Sequence, residues 1–551
     1  MNSVTVAIVG LLVLLLGYLL YGRLIERRIV KPDDTRPTPA HELRDDVDYS
    51  PARRIVLFGH HFSSIAGAGP ILGPVAAAIA FGWTGCWLWI VLGGIFMGAV
   101  HDYLSLTLSV RHKGVSIPDL SGEIVSPLAR GIFMLFVWIM LVLVIAVFGR
   151  TGAQALTTTP QVVIPTLSLI FIAILFGWLT DKLRVNFWAS TAICVGLMVA
   201  TLIIGYYYPV SLPVAPDTAI LIWFTVFMVY CAIASTLPIW LLLRPRDYLS
   251  IYVLFACLIL GYVGLFALHP EVTAPAFISF HDAVQGPMWP ILCITIACGA
   301  ISGFHCLCAG GTTSKQLDRE SDAKPIGYGA MITESILAIL CLLAVTAGLY
   351  WRAPAGMESL EYGHLMSTVG WIRTFGTGYG HFLTALGIPL ALGTMIGVLM
   401  IKQFVITSLD TCTRMTRYVW AESIGAKIPI LGNKWIATIV PIAVAYYLGF
   451  TGVYSYVWPM FGSANQLVAA LALLTISVWL AGTKKPAIYT AIPCVFMLAT
   501  TIAALIWQIP TNFSRGQPQL SVVGIILLVL AVVVVIEAIR TLVKIRKANT
   551  A

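Results

Sequence analysis

The chain has 551 residues, 59% of them hydrophobic and only 10% charged, with a mean hydropathy of +0.91 and a formal net charge of +9. An ordinary soluble domain is about a quarter charged, so this chain cannot cover its surface with ions and must turn most of it to lipid. No long polar stretch interrupts the apolar runs, which excludes a soluble catalytic or nucleic-acid-binding module.

Runs of about 20 apolar residues, each able to cross about 30 Å of hydrocarbon, recur from end to end. They predict an all-α polytopic membrane protein with about fifteen transmembrane helices. The spans fall near 3–21, 62–82, 85–109, 131–149, 162–180, 187–206, 218–243, 249–268, 288–308, 327–350, 382–408, 435–450, 455–482, 487–507 and 519–539. The first span has no basic segment before it and is followed directly by Arg23, Arg27 and Arg28. It reads as a retained anchor rather than a signal peptide.

When the loops are assigned to alternate sides, 28 of the 33 Lys and Arg residues fall on one side. Arg150, Arg352, Arg373 and Arg515 fall on the other, and Lys402 alone lies within a span. The positive-inside rule then places the N-terminus outside and the C-terminus in the cytoplasm. The basic balance is a topology signal with some attraction to anionic lipid, and it implies no nucleic acid. The 11 cysteines lack the spacing of a zinc site or a disulfide framework and read as small buried hydrophobes.

The second span contains Gly67-Ala68-Gly69-Pro70-Ile71-Leu72-Gly73-Pro74. Two prolines and three glycines remove backbone donors and helix propensity together. In hydrocarbon the freed carbonyls need partners, so this segment must face protein, water or a ligand. The plainer reading is close helix packing through small residues. The seventh span carries Ser235-Thr236-Leu237-Pro238 in its middle, either a second break or an ordinary proline kink.

These two spans are five apart and therefore run in opposite directions, as an inverted repeat of five helices requires. The expected organisation is an anchor and loop at 1–61, a transport core at 62–408 with repeats at 62–206 and 218–408, and additional helices at 409–551. Ala66, Gly67, Gly69, Pro70 and Gly73, with Ser235, Thr236 and Pro238, are the candidate solute-binding residues.

Ionisable side chains inside spans are expensive and few. His60, His61, His101, Asp102, His305, Glu334, Lys402 and Asp410 all fall in the same half of the membrane. One reading is a proton or cation relay leading to the broken helices. The other is a set of ion pairs, such as Glu334 with Lys402, that fixes helix packing. Ser302, Thr312 and Thr313 add hydroxyls that could coordinate an alkali cation. The nearby Gly310-Gly311 lacks the spacing of a phosphate loop. Asn465 and Gln466 place two amides within a span, and Glu537 with Arg540 reads as an interfacial pair.

Several of these runs together resemble the carbon starvation A transporter family. They include Leu57-Phe58-Gly59-His60-His61-Phe62 through Pro74, Gly98-Ala99-Val100-His101-Asp102, and Leu237 to Leu243 followed by Pro245-Arg246-Asp247-Tyr248. Ser302 to Gln316, Leu409-Asp410-Thr411 with Thr413-Arg414, and Phe461 to Gln466 continue the match in order. The resemblance implies a multi-pass carrier of the bacterial cytoplasmic (inner) membrane for peptides, amino acids or small carboxylates such as pyruvate, induced on carbon starvation. It also implies a LeuT-like five-plus-five core with extra helices. On that analogy the second, seventh and ninth spans are the first, sixth and eighth core helices.

The expectation is a symporter without a cofactor, coupled to H⁺ through Asp102 and the histidines in preference to Na⁺. One rival is a membrane-embedded metalloenzyme using His60, His61, His101 and Asp102 as ligands. Another is a solute sensor without net transport. The oligomeric state is not legible.

Overall fold

A computed structural model describes residues 1–46, 48–239, 241–451 and 454–550, with only the backbone described at 181, 454–459, 545, 546 and 548–550. Among the described residues the chain is helical apart from loops and one two-stranded hairpin, His281–Asp282 with Gly286–Pro287.

Thirteen helices are long and apolar enough to cross a membrane. In chain order they are α1 (Ser3–Val30), α2 (Arg54–Phe81), α3 (Trp83–Arg111), α4 (Pro127–Thr158), α5 (Pro160–Thr180), α6 (Phe187–Tyr207), α7 (Pro216–Thr236) and α8 (Leu243–Leu268). After a broken segment at 288–313, here α9, come α10 (Glu320–Thr346) and α11 (Leu390–Gly425). The shorter α12 (Lys434–Phe450) precedes α13 (Met460–Gly482), α14 (Ile488–Ser514) and α15 (Pro518–Lys544). All fifteen expected spans are thus helical.

Two boundaries move in ways that matter. α2 begins at Arg54, so His60 and His61 lie inside it. α8 begins at Leu243, so Arg246 and Asp247 are in its first turns rather than in a loop. Pro245 fits there because the first N–H groups of a helix are unpaired in any case. Lys402 is therefore not the only basic residue inside the bundle: Arg246 and Arg414 are buried as well.

The basic loops meet at one end of the molecule. The segment 31–53 is strapped across 314–322 by Ser50 N to Lys315 O (3.2 Å), Ala52 N to Gln316 O (3.0 Å) and Asp33 N to Glu320 Oε2 (2.6 Å). Arg414 Nη1 donates to Asp48 Oδ1 (3.1 Å), Arg244 Nε to Gln316 Oε1 (3.0 Å) and Lys485 Nζ to Ile29 O (2.6 Å) at the same end. The sparsely charged connections meet at the other end, through Ser3 N to Pro270 O (3.2 Å), Trp83 N to Pro275 O (3.3 Å) and Thr273 N to Thr346 O (2.9 Å).

The breaks are in α2 and α9. α2 leaves helical geometry at Ala66 (φ −74°, ψ 83°) and resumes at Gly69. α9 is interrupted at Ile296 (φ −98°, ψ 40°) and again at Ile301 and Ser302, both extended. The expected break in the seventh span does not occur. α7 runs unbroken to Thr236, and Leu237 is extended (φ −74°, ψ 153°) because the ring of Pro238 disfavours the helical region before it. Pro238 ends the crossing instead of interrupting it; the neighbouring Trp240 lies outside the described residues.

Packing pairs the helices in a two-fold pattern. The second half of α2 packs on α10, and the middle of α9 packs on α3. α4 lies along α11; α7 touches both of these, and so does α12. α8 holds the first half of α2, as α13 holds the last part of α9. The two sets of five are therefore α2, α3, α4, α7, α8 and α9, α10, α11, α12, α13. The hairpin α5–α6 is inserted between the third and fourth members of the first set, which stretches the offset from five to seven. Seven is also odd, so the two halves still run in opposite directions.

The broken helices touch through backbone. A Cβ on Gly73 would stand 2.5 Å from Thr295 O and 3.2 Å from the Ile296 Cα. Gly73→Ala should lower stability by about 1–3 kcal/mol, read as an earlier thermal transition of the detergent-solubilised protein. Gly196→Ala, at a position with nothing within 4 Å of the added methyl, should not.

Candidate functional site

The break in α2 frees carbonyls that hydrocarbon cannot satisfy. Hydroxyls of α11 take them: Thr407 Oγ1 donates to Ser63 O (2.6 Å) and Ser408 Oγ to Ser64 O (3.1 Å). Ser64 Oγ itself meets Thr411 Oγ1 at 3.3 Å.

Gly67 lies against Phe148 of α4 and Ser408, and Gly69 against Cys298 of α9. Pro70 opens the second half-helix in its first turn. Across from it Asn465 of α13 fills the break in α9, accepting from Phe304 N (2.9 Å) and donating to Ser302 Oγ (2.9 Å). Phe148 meets Phe461 edge to face with centroids 6.0 Å apart. Ala66, Gly67, Gly69 and Pro70 therefore form the break itself, packed among α4, α9 and α11. Gly73 is taken up by its contact with α9.

Ser235, Thr236 and Pro238 are not brought to this site. Ser235 Oγ bonds Thr438 Oγ1 of α12 (3.4 Å), and the Leu237 carbonyl accepts from Arg414. They secure the end of α7.

Beside the break in α9 lies a fully buried chain of four ionisable side chains. His101 Nδ1 meets Asp102 Oδ1 at 2.7 Å, and His305 Nδ1 meets Asp102 Oδ2 at 2.8 Å. The other His305 nitrogen, Nε2, faces Glu334 Oε2 at 3.3 Å. The chain joins α3, α9 and α10, with His305 between two carboxylates. With neutral imidazoles its formal charge would be −2, so each proton taken up relieves a buried negative charge.

His61 Nδ1 meets Thr313 Oγ1 at 2.8 Å, while Thr312 Oγ1 returns to Cys308 O (3.1 Å) in its own helix. The pair of Glu334 with Lys402 is absent. Lys402 Nζ sits 4.1 Å from the centre of the Phe227 ring, and Glu334 faces His305 instead. Glu537 and Arg540 do pair, at 2.7 Å.

Sequence reasoning did not assign a second buried network. His60 Nδ1 meets Asp247 Oδ2 at 2.6 Å, and Asp247 Oδ1 accepts from Arg246 Nε at 3.1 Å. Arg246 Nη1 also bonds Asp410 Oδ2 and the Tyr230 hydroxyl, which donates to Asp410 Oδ2 at 2.7 Å. The available signal was Pro245, which could mark a helix start and draw Arg246 and Asp247 into the span. Among the described residues no group of three or more His, Cys, Asp and Glu side chains could hold a metal ion. His60 turns to Asp247 and His61 to Thr313, away from the four-ligand set of the metalloenzyme reading.

A family profile described as carbon starvation protein CstA matches residues 2–359 and 356–504. The peptide transporter CstA of Bacillus subtilis (strain 168) is 31% identical, over 98% of this chain and 97% of its own length. The pyruvate/proton symporter BtsT of Escherichia coli K12 is 30% identical, over 94% of this chain and 83% of that protein. Among solved structures, a manganese transporter from Eremococcus coleocola superposes with a TM-score of 0.54 at 11% identity, covering 91% of this chain and 99% of that one. That likeness speaks to the fold alone, a LeuT-like five-plus-five core with extra helices. Transport rather than catalysis is the function these likenesses support.

Removing one member of a buried ion network strands the others. Arg246→Met leaves Asp247 and Asp410 without their shared cation and should cost on the order of 3–5 kcal/mol. The expected outcome is a much lower melting temperature or loss of the monodisperse peak in size-exclusion chromatography.

Proposed function

The chain belongs to the carbon starvation protein CstA family, and from that premise we propose a proton-coupled symporter for peptides or small carboxylates such as pyruvate. One observation carries the coupling: the buried chain His101–Asp102–His305–Glu334, which ends beside the broken part of α9. The names of the relatives, peptide transporter and pyruvate/proton symporter, support the substrate class and the coupling ion.

Solute binds at the break of α2, where the positive end of the half-helix Gly69–Phe81 meets a carboxylate. Phe148 and Phe461 close over its apolar part. The proton rests on the four-residue chain, where it offsets buried negative charge. Its arrival and departure bias the packing of α3, α9 and α10, and the broken helices open alternately to the two sides. The protein lies in a bacterial cytoplasmic (inner) membrane, induced on carbon starvation, with its N-terminus outside and its basic end in the cytoplasm. It needs no cofactor besides the coupling ion.

A second reading has a specific motive. Thr407, Ser408, Ser64 and Thr411 gather hydroxyls around the freed carbonyls of α2, a donor set suited to Na⁺.

Proteoliposomes should accumulate labelled dipeptide or pyruvate when the lumen is alkaline, and an ionophore that collapses the proton gradient should abolish accumulation. Uptake that survives the ionophore and follows a sodium gradient would transfer the coupling to the hydroxyl cluster. Asp102→Asn should insert and fold normally yet lose uphill uptake; wild-type accumulation in that variant would remove Asp102 from the mechanism.

A further inference from the structure

The first half of α2, Arg54–Ile65, is a twelve-residue helix that ends in the break. It is held on every side by polar contacts: His61 to Thr313 of α9, and Ser63 and Ser64 to Thr407, Ser408 and Thr411 of α11. Phe62 packs edge to face on Phe404 of α11, centroids 5.7 Å apart. Arg54 pairs with Asp322 at the exposed start of the helix (3.6 Å), and one buried tie joins two ionisable side chains, His60 to Asp247 of α8. It is fully buried and belongs to the network that runs on through Arg246 to Asp410 and Tyr230.

The charges of that network do not close by themselves. Asp247 and Asp410 carry two negative charges against one on Arg246, so the set stands at −1 when His60 is neutral and at zero when it is an imidazolium. His60 meets Asp247 directly, and behind Asp247 the network holds Arg246 on α8, Asp410 on α11 and Tyr230 on α7, with His61 next to His60 in sequence. Arg246 is the only fixed cation among them. Asp410 Oδ1 and His60 Nε2 have no hydrogen-bond partner among the described residues.

We propose that His60 is a second proton site, and that its proton latches the first half of α2 against α8 and keeps the basic end shut. The inference rests on the proton-symport reading and adds to it where the proton acts on a gate. A protonated His60 makes a charge-assisted bond to Asp247 in a network of zero net charge. Loss of the proton leaves a buried net negative charge, whose cheapest relief is water. Water reaches it when α2 parts from α8. The basic end then opens on deprotonation, which on the alkaline side of the membrane releases solute and proton together.

The test uses Val56→Cys, a reporter on the same half of α2, packed against Tyr248 and Leu249 of α8. All 11 native cysteines are free and buried, so labelling by a membrane-impermeant thiol reagent applied at the basic end reads the opening of this interface. Because only the thiolate reacts, the rate at each pH is divided by that of the same reagent with free cysteine. This ratio, the labelling profile, should rise with pH by up to about tenfold per unit, the slope a single titrating proton gives. In the same background His60→Gln keeps an N–H for Asp247 but cannot titrate; its labelling profile should be flat and its proton-to-solute flux ratio lower.

A profile with wild-type shape in His60→Gln overturns the proposal. Should that variant not fold, Asp247→Asn takes the same measurement, with the same flat profile expected and the same contrary result. If wild-type uptake is not driven by protons, the symport reading itself fails. If uptake is proton-driven but labelling ignores His60, only the latch fails.

Discussion

Hydrocarbon offers no hydrogen bonds, and the architecture follows from how the chain meets that fact where its helices are broken. At Ala66 the backbone of α2 turns out of helical geometry in the middle of the bundle. The carbonyls it frees are answered by Thr407 and Ser408, which fixes α11 beside α2. At Ser302 the same need is met by Asn465, which fixes α13 beside α9. The two solutions are chemically different, hydroxyls in one half and an amide in the other. They nonetheless sit at related positions of the two five-helix sets, so the repeat is preserved in packing where its side chains have diverged.

Charge obeys the same accounting. Asp247 and Asp410 fall into one buried network and Asp102 and Glu334 into another. One ties α2 to α7, α8 and α11 through Arg246, and the other ties α3, α9 and α10 through His305. Arg246 gives the first network a permanent cation and therefore a structural role. The second has none, and its positive charge can come only from protons or a bound ion. This difference separates a network anchored by a fixed cation from one that has none.

Much of this was legible in sequence, because the physics of lipid is one-dimensional along the chain. Hydropathy gave fifteen spans, and the alternation of Lys and Arg gave the end at which loops 31–53 and 314–322 meet. The break at Gly67 was legible from glycine and proline alone. The second break was not. The seventh span offered a proline in its middle and α9 only Pro290 in its first turn, yet Pro238 ends its helix while Ile296 and Ser302 interrupt theirs six and twelve residues beyond Pro290. What unwinds α9 is tertiary: the Gly303 backbone presses on Asn465 and Val468 so closely that a Cβ would stand 2.3 Å from the Asn465 carbonyl oxygen. No local pattern reports such a contact. The partnership of His60 with Asp247 was hidden for a related reason, since it joins residues 187 positions apart.

The two halves of α2 are held by different forces. From Gly69 to Phe81 the helix has no ionisable residue, and it meets α9 through bare backbone at Gly73 and through Cys298 at Gly69. From Arg54 to Ile65 it is held by histidines and hydroxyls. Close packing of small residues does not respond to protons, whereas a His–Asp pair does. Protonation can therefore act directly only on the basic half. Opening at the other end must be driven by what fills the break, because solute contacts are the remaining term that differs between the empty and loaded protein. A carrier built this way divides its two gates between two ligands, and coupling follows because both gates are ends of one broken helix.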